Sequence, residues 1–220
     1  MVLDHLNYFL GDVGPFPLWL RWLGRLSAPL FMFLLAESYF YTRNRKKLLL
    51  RLYAAGAIMG VAKTFLAVAL SGPFLPVNIF ASYFLSLIIL WGIDFCRSPL
   101  SSKDQLKGVA VIAAPFVISV LAALVPDPFW QSFWGQMIQA FVPLLQYAEG
   151  ASLVIPICLI LYFFRGDEFL RDVAFLAFNG LMLLSALPYG VTELFTENFF
   201  WMAAGAVIFF RMYNGEKAAP

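Results

Sequence analysis

The chain has 220 residues, of which 62% are apolar and 13% charged, with a mean hydropathy of +0.80 and a net charge of +2. That charged fraction is about half the average for a soluble domain, and the apolar residues fall in blocks of about 18–25, the length that crosses a hydrocarbon core of roughly 30 Å. A water-soluble globular fold is excluded, and the expected fold is all-α, a polytopic transmembrane bundle forming one domain over residues 1–220.

The chain opens Met-Val-Leu-Asp-His, without the basic stretch of a cleavable signal peptide. Seven spans are predicted, over residues 18–42, 48–70, 77–96, 106–125, 137–164, 173–190 and 198–213. Basic residues gather in alternate connections: Arg43, Arg45, Lys46, Lys47 and Arg51, then Arg97, Lys103 and Lys107, then Arg165 and Arg171, then Arg211 and Lys217. The other connections carry Asp127, Glu193 and Glu197 and no Lys or Arg. The positive-inside rule then places the basic set in the cytoplasm, the N-terminus outside and the C-terminus inside. Turn signals agree, with Ser71-Gly72-Pro73 and Pro126-Asp127-Pro128 at outer ends and Arg97-Ser98-Pro99 at an inner end. The fifth span is too long for a simple crossing and contains Pro143, Gly150 and Pro156. It is expected to kink or to follow an interfacial helix over about residues 129–141, with Trp130, Phe133 and Trp134 as interfacial anchors. Cys96 and Cys158 lack metal-ligand or redox spacing and read as core residues, and no metal is expected.

Charges inside the spans carry the most information, because a lone charge at mid-membrane costs at least about 2.5–3.5 kcal/mol. A helical rise of about 1.5 Å per residue puts Arg25, Lys63 and Glu149 roughly 22–25 Å above the cytoplasmic ends of their spans, in one layer, if the fifth helix is regular. Arg21 shares a helical face with Arg25, and Asp4 and His5 precede the first span on the same outer side. Two readings fit this layer: ion pairs that hold helices together, or a polar cavity that takes an anion or water. Glu37, near the inner end of the first span, is expected to pair with Arg43 or to serve its own surroundings, and Asp94 to be solvated. Asn78 and Asn179 serve either a cavity or helix–helix hydrogen bonds.

His5 is the one histidine of the chain, and an imidazole both accepts and returns a proton near neutral pH; Asp4 beside it is able to orient it or raise its basicity. The cluster Arg43-Asn44-Arg45-Lys46-Lys47 is either a topology determinant or a holder of cytoplasmic phosphates. No internal repeat appears, which weighs against a secondary transporter.

Three motifs sharpen these readings: Met1-Val-Leu-Asp-His5, Leu20-Arg-Trp-Leu-Gly-Arg-Leu-Ser-Ala-Pro-Leu-Phe31 and Tyr41-Thr-Arg-Asn-Arg-Lys-Lys47. In that order and spacing they resemble the TraX family, whose founding member is the conjugative F-pilin N-acetylase, and weaker similarity runs through Asn78-Ile-Phe80 and Tyr213-Asn-Gly215. The resemblance implies a membrane acyltransferase moving an acyl group, acetyl first among them, from acyl-CoA to an amine or hydroxyl. It implies Asp4, His5 and Arg25 as catalytic residues: His5 the general base, Asp4 its support, and Arg21 or Arg25 holding an oxyanion or another anionic group. Arg43, Arg45, Lys46 and Lys47, with Arg21, become the acetyl-CoA or acyl-CoA contacts, and Lys63, Glu149, Asn78 and Glu37 the membrane-embedded polar layer. The implied acceptor is a pilin-like N-terminus, a sugar or a small metabolite; membrane lipids surround the chain and no nucleic acid is expected. Family members commonly carry an apolar stretch ahead of Asp-His and a hydrophobic segment with Tyr-Pro and a histidine after Tyr-Asn-Gly, so both ends are expected to be short. The implied location is a bacterial inner membrane. A catalytically inactive scaffold or partner subunit of a conjugation or secretion complex is the alternative.

Overall fold

Short polar side chains determine where several helices begin. The computed structural model describes residues 19–69, 78–97, 101–196 and 199–213, all helices and connections without a strand, with side chains described except at 19–21 and 199. Helix α1, Trp19–Tyr41, carries Pro29 within it, and α2 runs Arg45–Ala69. Between them the Asn44 side chain accepts from the Lys47 amide at 3.0 Å, the N-cap geometry that supplies an acceptor to an otherwise orphaned donor. Helix α3 runs Ile79–Arg97 and α4 Ser102–Ala123, the latter capped by Ser101, which accepts from the Asp104 amide. Because of these caps α2 and α4 start three or four residues before the apolar blocks predicted for them.

The predicted fifth span is three pieces. Helices α5, Asp127–Gln131, and α6, Phe133–Phe141, lead into residues 142–150, which are not helical, and α7 resumes at Ala151–Phe163. Pro143 cannot continue α6, and Gly150 takes φ +60°, a conformation costly for any residue with a Cβ. After α7 come α8, Glu168–Ala186, capped by Asp167, a 3-10 turn at Leu187–Tyr189, α9, Val191–Thr196, a 3-10 segment at Phe199–Ala206, and α10, Val207–Met212.

Among the described residues four helices are long and apolar enough to cross a membrane: α2, α3, α4, and α8 extended to Tyr189; Ala151–Phe163 and Phe200–Met212 are shorter apolar helices. The distribution of side chains fits lipid surroundings. Helix α2 buries Leu49, Gly56, Ala57, Gly60 and Thr64 while Leu50, Ile58 and Phe65 are exposed, so mostly small and polar residues make the contacts and most large apolar ones face outward. Together these features mark a membrane protein.

The chain packs as two compact units, residues 38–159 and residues 1–37 with 160–220. In the first, α2 approaches α6 so closely that a Cβ on Gly60 would lie 2.7 Å from the Ala140 Cβ and 2.8 Å from its Cα. The break at 142–150 is tied down on several sides, which supplies partners for backbone groups that no helix satisfies. Ser119 Oγ accepts from the Leu145 amide, Gln146 Nε2 donates to the Ser119 carbonyl, Ser82 Oγ donates to the Glu149 carbonyl, and Tyr53 OH donates to the Phe141 carbonyl. Leu144 packs with Ala122 and Trp130, and Ala148 with Ala81, Leu85 and Ala151. Trp130, expected at the interface, is instead buried, its indole N–H donating to the Ala122 carbonyl at 3.0 Å; Trp134 stays exposed. Cys158 is a buried core residue, and Cys96 is half-buried.

In the second unit the core is aromatic. Phe33 stacks on Phe210 at 4.7 Å between ring centroids, and Phe175 and Tyr213 meet the same pair edge-on at 5.2 Å each.

Candidate functional site

The basic turn between α1 and α2 divides into two kinds of residue. Arg45 is committed: its Nη1 lies 2.7 Å from Asp94 Oδ2, which also accepts from Tyr39 OH at 2.8 Å, and its guanidinium sits 4.9 Å from the centre of the Tyr39 ring. Asp94 is therefore the anchor of Arg45 and not a merely solvated carboxylate, because the buried Tyr39 hydroxyl and the guanidinium converge on it. Arg43, Lys46 and Lys47 are exposed. Lys46 and Lys47 belong to the first turn of α2, where the helix dipole is already positive; cations there repel it and favour an anion.

Lys63, Asn78 and Glu149 all belong to the unit of residues 38–159. Lys63 and Glu149 interact electrostatically, and Asn78 Nδ2 donates to the Gly56 carbonyl at 2.9 Å. Glu149 lies in the break and not on a regular helix, so its depth does not follow from counting helical rise back from Phe164. A small cavity adjoins this group, lined by Lys63, Asn78, Gln136, Gln139, Pro143 and Tyr147 among others. Gln136 and Gln139 went unnoticed in the sequence. Their signal is two glutamines three apart in an otherwise apolar helix that ends at a proline, and short helix length masks it.

In the unit of residues 1–37 and 160–220, Arg25 lies over the Phe200 ring at 4.6 Å. Glu37 pairs with Arg165, Nε to Oε1 at 3.4 Å, and not with Arg43 as expected. A further cluster had no counterpart in the sequence reading. Asp172 Oδ1 accepts from Arg171 Nε and Nη2 at 3.1 and 3.0 Å, and Oδ2 accepts from Arg211 Nε at 2.7 Å. Arg171 also lies 5.4 Å from the Phe33 ring centre and 5.8 Å from that of Phe210. The trace in the sequence is an Arg-Asp pair opening one apolar helix and an Arg closing another. Asn179 is buried and donates to the Phe175 carbonyl one turn back, a helix-internal bond. Asp4 and His5 lie outside the described residues, and Arg21 lies in α1 with its side chain outside them.

The sequence profile of a family described as TraX protein matches residues 1–218. The chain belongs to the TraX family. That match spans essentially the whole chain, so the family covers both compact units and every TraX motif quoted from residues 1–47. No curated protein and no solved structure matches this TraX chain.

Proposed function

We propose that this chain is an integral membrane acyltransferase of a bacterial inner membrane, moving an acyl group, acetyl first among those to test, from acyl-CoA to an amine or hydroxyl acceptor. The observation that carries this reading is membership of the TraX family over residues 1–218, with Asp4-His5, Arg21, Arg25 and the basic turn in the family's order. The founding activity of that family, N-acetylation of a conjugative pilin, points to an acceptor presented at or in the membrane. Seven spans with the N-terminus outside and the C-terminus in the cytoplasm remain the proposed topology, carried by the alternation of basic and acidic connections.

In the proposed reaction the acceptor nitrogen or oxygen attacks the thioester carbonyl carbon while His5 takes its proton, with Asp4 holding the imidazole. Negative charge gathers on the carbonyl oxygen, where Arg25 or Arg21 stabilises it. The new C–N or C–O bond forms, the C–S bond breaks, and the CoA sulfur leaves with the proton that His5 returns. Arg43, Lys46 and Lys47, exposed at the start of α2, hold the CoA phosphates at the cytoplasmic face, while Arg45 braces the turn through Asp94.

The test is transfer of radiolabelled acetyl from acetyl-CoA in membranes containing the full chain. His5→Ala is expected to abolish turnover while leaving expression intact, and equal turnover in variant and wild type would sink the catalytic assignment. Arg43→Gln/Lys46→Gln/Lys47→Gln, sparing Arg45, is expected to weaken acetyl-CoA binding by more than about tenfold, since charge-assisted phosphate contacts are worth about 1.5–3 kcal/mol each.

A further inference from the structure

The cavity beside Lys63 has a specific hydrogen-bonding deficit. Three primary amides line it: Asn78, Gln136 and Gln139. Each commits its nitrogen to a backbone carbonyl, Asn78 Nδ2 to Gly56 at 2.9 Å, Gln136 Nε2 to Gln131 at 2.9 Å and Gln139 Nε2 to Trp130 at 2.8 Å. A flipped amide would set two carbonyl oxygens against each other, so these bonds fix which end of each amide is the acceptor. Asn78 and Gln136 are both 9% exposed, and among the described residues neither Asn78 Oδ1 nor Gln136 Oε1 has a hydrogen-bond partner. A buried acceptor left unmade is costly, and two of them on one cavity call for a donor that the described residues do not supply.

Charge and size narrow the donor. Lys63 on the wall interacts electrostatically with Glu149. Amide oxygens repel an anion. A protonated amine would face the Lys63 ammonium and has no lone pair to accept from it, whereas a hydroxyl donates to an amide oxygen and accepts from Lys63 at once. The cavity has room for about one water-sized group, the size of a single hydroxyl. Residues of the break at 142–150 supply part of the wall, and breaks between helices are a form that polar ligand sites take in membrane proteins.

We propose that the cavity formed by Lys63, Asn78, Gln136, Gln139 and the break at 142–150 is a binding site for a hydroxyl group of an uncharged polyol or sugar. It stands independently of acyl transfer. The source is either a free sugar or the headgroup of a membrane amphiphile.

Binding of radiolabelled octyl glucoside to the purified full chain in lipid nanodiscs, by scintillation proximity below the critical micelle concentration, tests it. The expected result is saturable binding at one site per chain, displaced by unlabelled octyl glucoside and not by octylammonium or octanoate at the same concentration. Displacement by excess glucose assigns the site to free sugars, and resistance to glucose assigns it to amphiphiles; either supports a hydroxyl site. Gln136→Met, which removes the acceptor at similar volume, and Ala148→Leu, which fills the cavity wall, are each expected to weaken binding about tenfold or more. Binding that does not saturate, that octylammonium and octanoate displace equally well, or that survives unchanged in either folded variant overturns the proposal. The competition in wild type decides the matter even if both variants misfold. His5→Ala is expected to bind octyl glucoside normally, so loss of acyl transfer and loss of this site are distinguishable.

Discussion

Replacing Asp172 by Asn is expected to destabilise the protein more than any other single change in the charge clusters described. Asp172 is 1% exposed and accepts three hydrogen bonds from two guanidinium groups. Its neighbour Arg171 is 4% exposed, so neutralising Asp172 strands a buried cation, a change worth about 3–5 kcal/mol in comparable buried pairs. The aromatic faces of Phe33 and Phe210 return part of this, about 0.5–2 kcal/mol, by cation–π attraction. The Arg211 side chain is 60% exposed, so solvent screens its share and Arg211→Gln should cost no more than about 1 kcal/mol. With about 2–4 °C of Tm per kcal/mol for a chain of this size, Asp172→Asn lowers Tm by about 10 °C and Arg211→Gln by less than about 4 °C. Thermal unfolding in detergent, followed by tryptophan fluorescence and by loss of the monodisperse species, reads both. The decisive third variant is Arg171→Met/Asp172→Leu: removing both charges together should recover most of the loss, since apolar pairs of similar volume are neutral or better in such sites. Equal shifts for Asp172→Asn and Arg211→Gln, or a double variant as unstable as Asp172→Asn, would refute the reasoning.

Gly60→Ala should lower Tm by several degrees, because the new methyl meets both the Cβ and the backbone Cα of Ala140, and Ala140→Gly in the same chain should recover only part of the loss; an unchanged Tm for Gly60→Ala would show that the α2–α6 contact is looser than described. Asp94→Asn, acting on a partly exposed pair, should cost about 1 kcal/mol and weaken acetyl-CoA binding less than neutralising Arg43, Lys46 and Lys47 does; a larger effect would make Arg45 and Asp94 direct cofactor ligands. Gly150→Ala should destabilise by about 1–2 kcal/mol through φ +60° alone, and an unchanged Tm would mean that the break relaxes into another conformation.

The sequence made the first four helices legible to within a few residues, because unbroken apolar runs and basic connections report on each helix separately. The break at 142–150 was visible only as a proline and a glycine inside an overlong run; whether such a run kinks or unwinds depends on Ser82 and Ser119, which lie on other helices and hold its freed backbone groups. Charged residues were easy to find and hard to pair. Asp94 meets Arg45 and Tyr39, and Glu37 meets Arg165 across 128 positions of sequence, because pairing follows the docking of one helix on another and not spacing along either. Lys63 interacts with Glu149 and shares a cavity wall with Asn78, contacts that again follow from helix docking and not from spacing. Asp172 was overlooked because a carboxylate beside an arginine at a helix start looks like ordinary solvated surface.

The interruption at 142–150 also bears on how the protein is made. Helix α7 has 13 residues and rises about 20 Å, short of the roughly 30 Å that a self-sufficient span must cover. Such a segment partitions weakly when it leaves the ribosome alone, and at the break ahead of it the Phe141 and Glu149 carbonyls accept from Tyr53 and Ser82 while the Leu145 amide donates to Ser119, partners that are all already synthesised. Residues 133–163 are therefore expected to enter the bilayer only after α2–α4 have assembled, so that nascent chains ending just beyond Phe163 would fail to hold this segment in the membrane if those earlier helices were replaced by polyleucine.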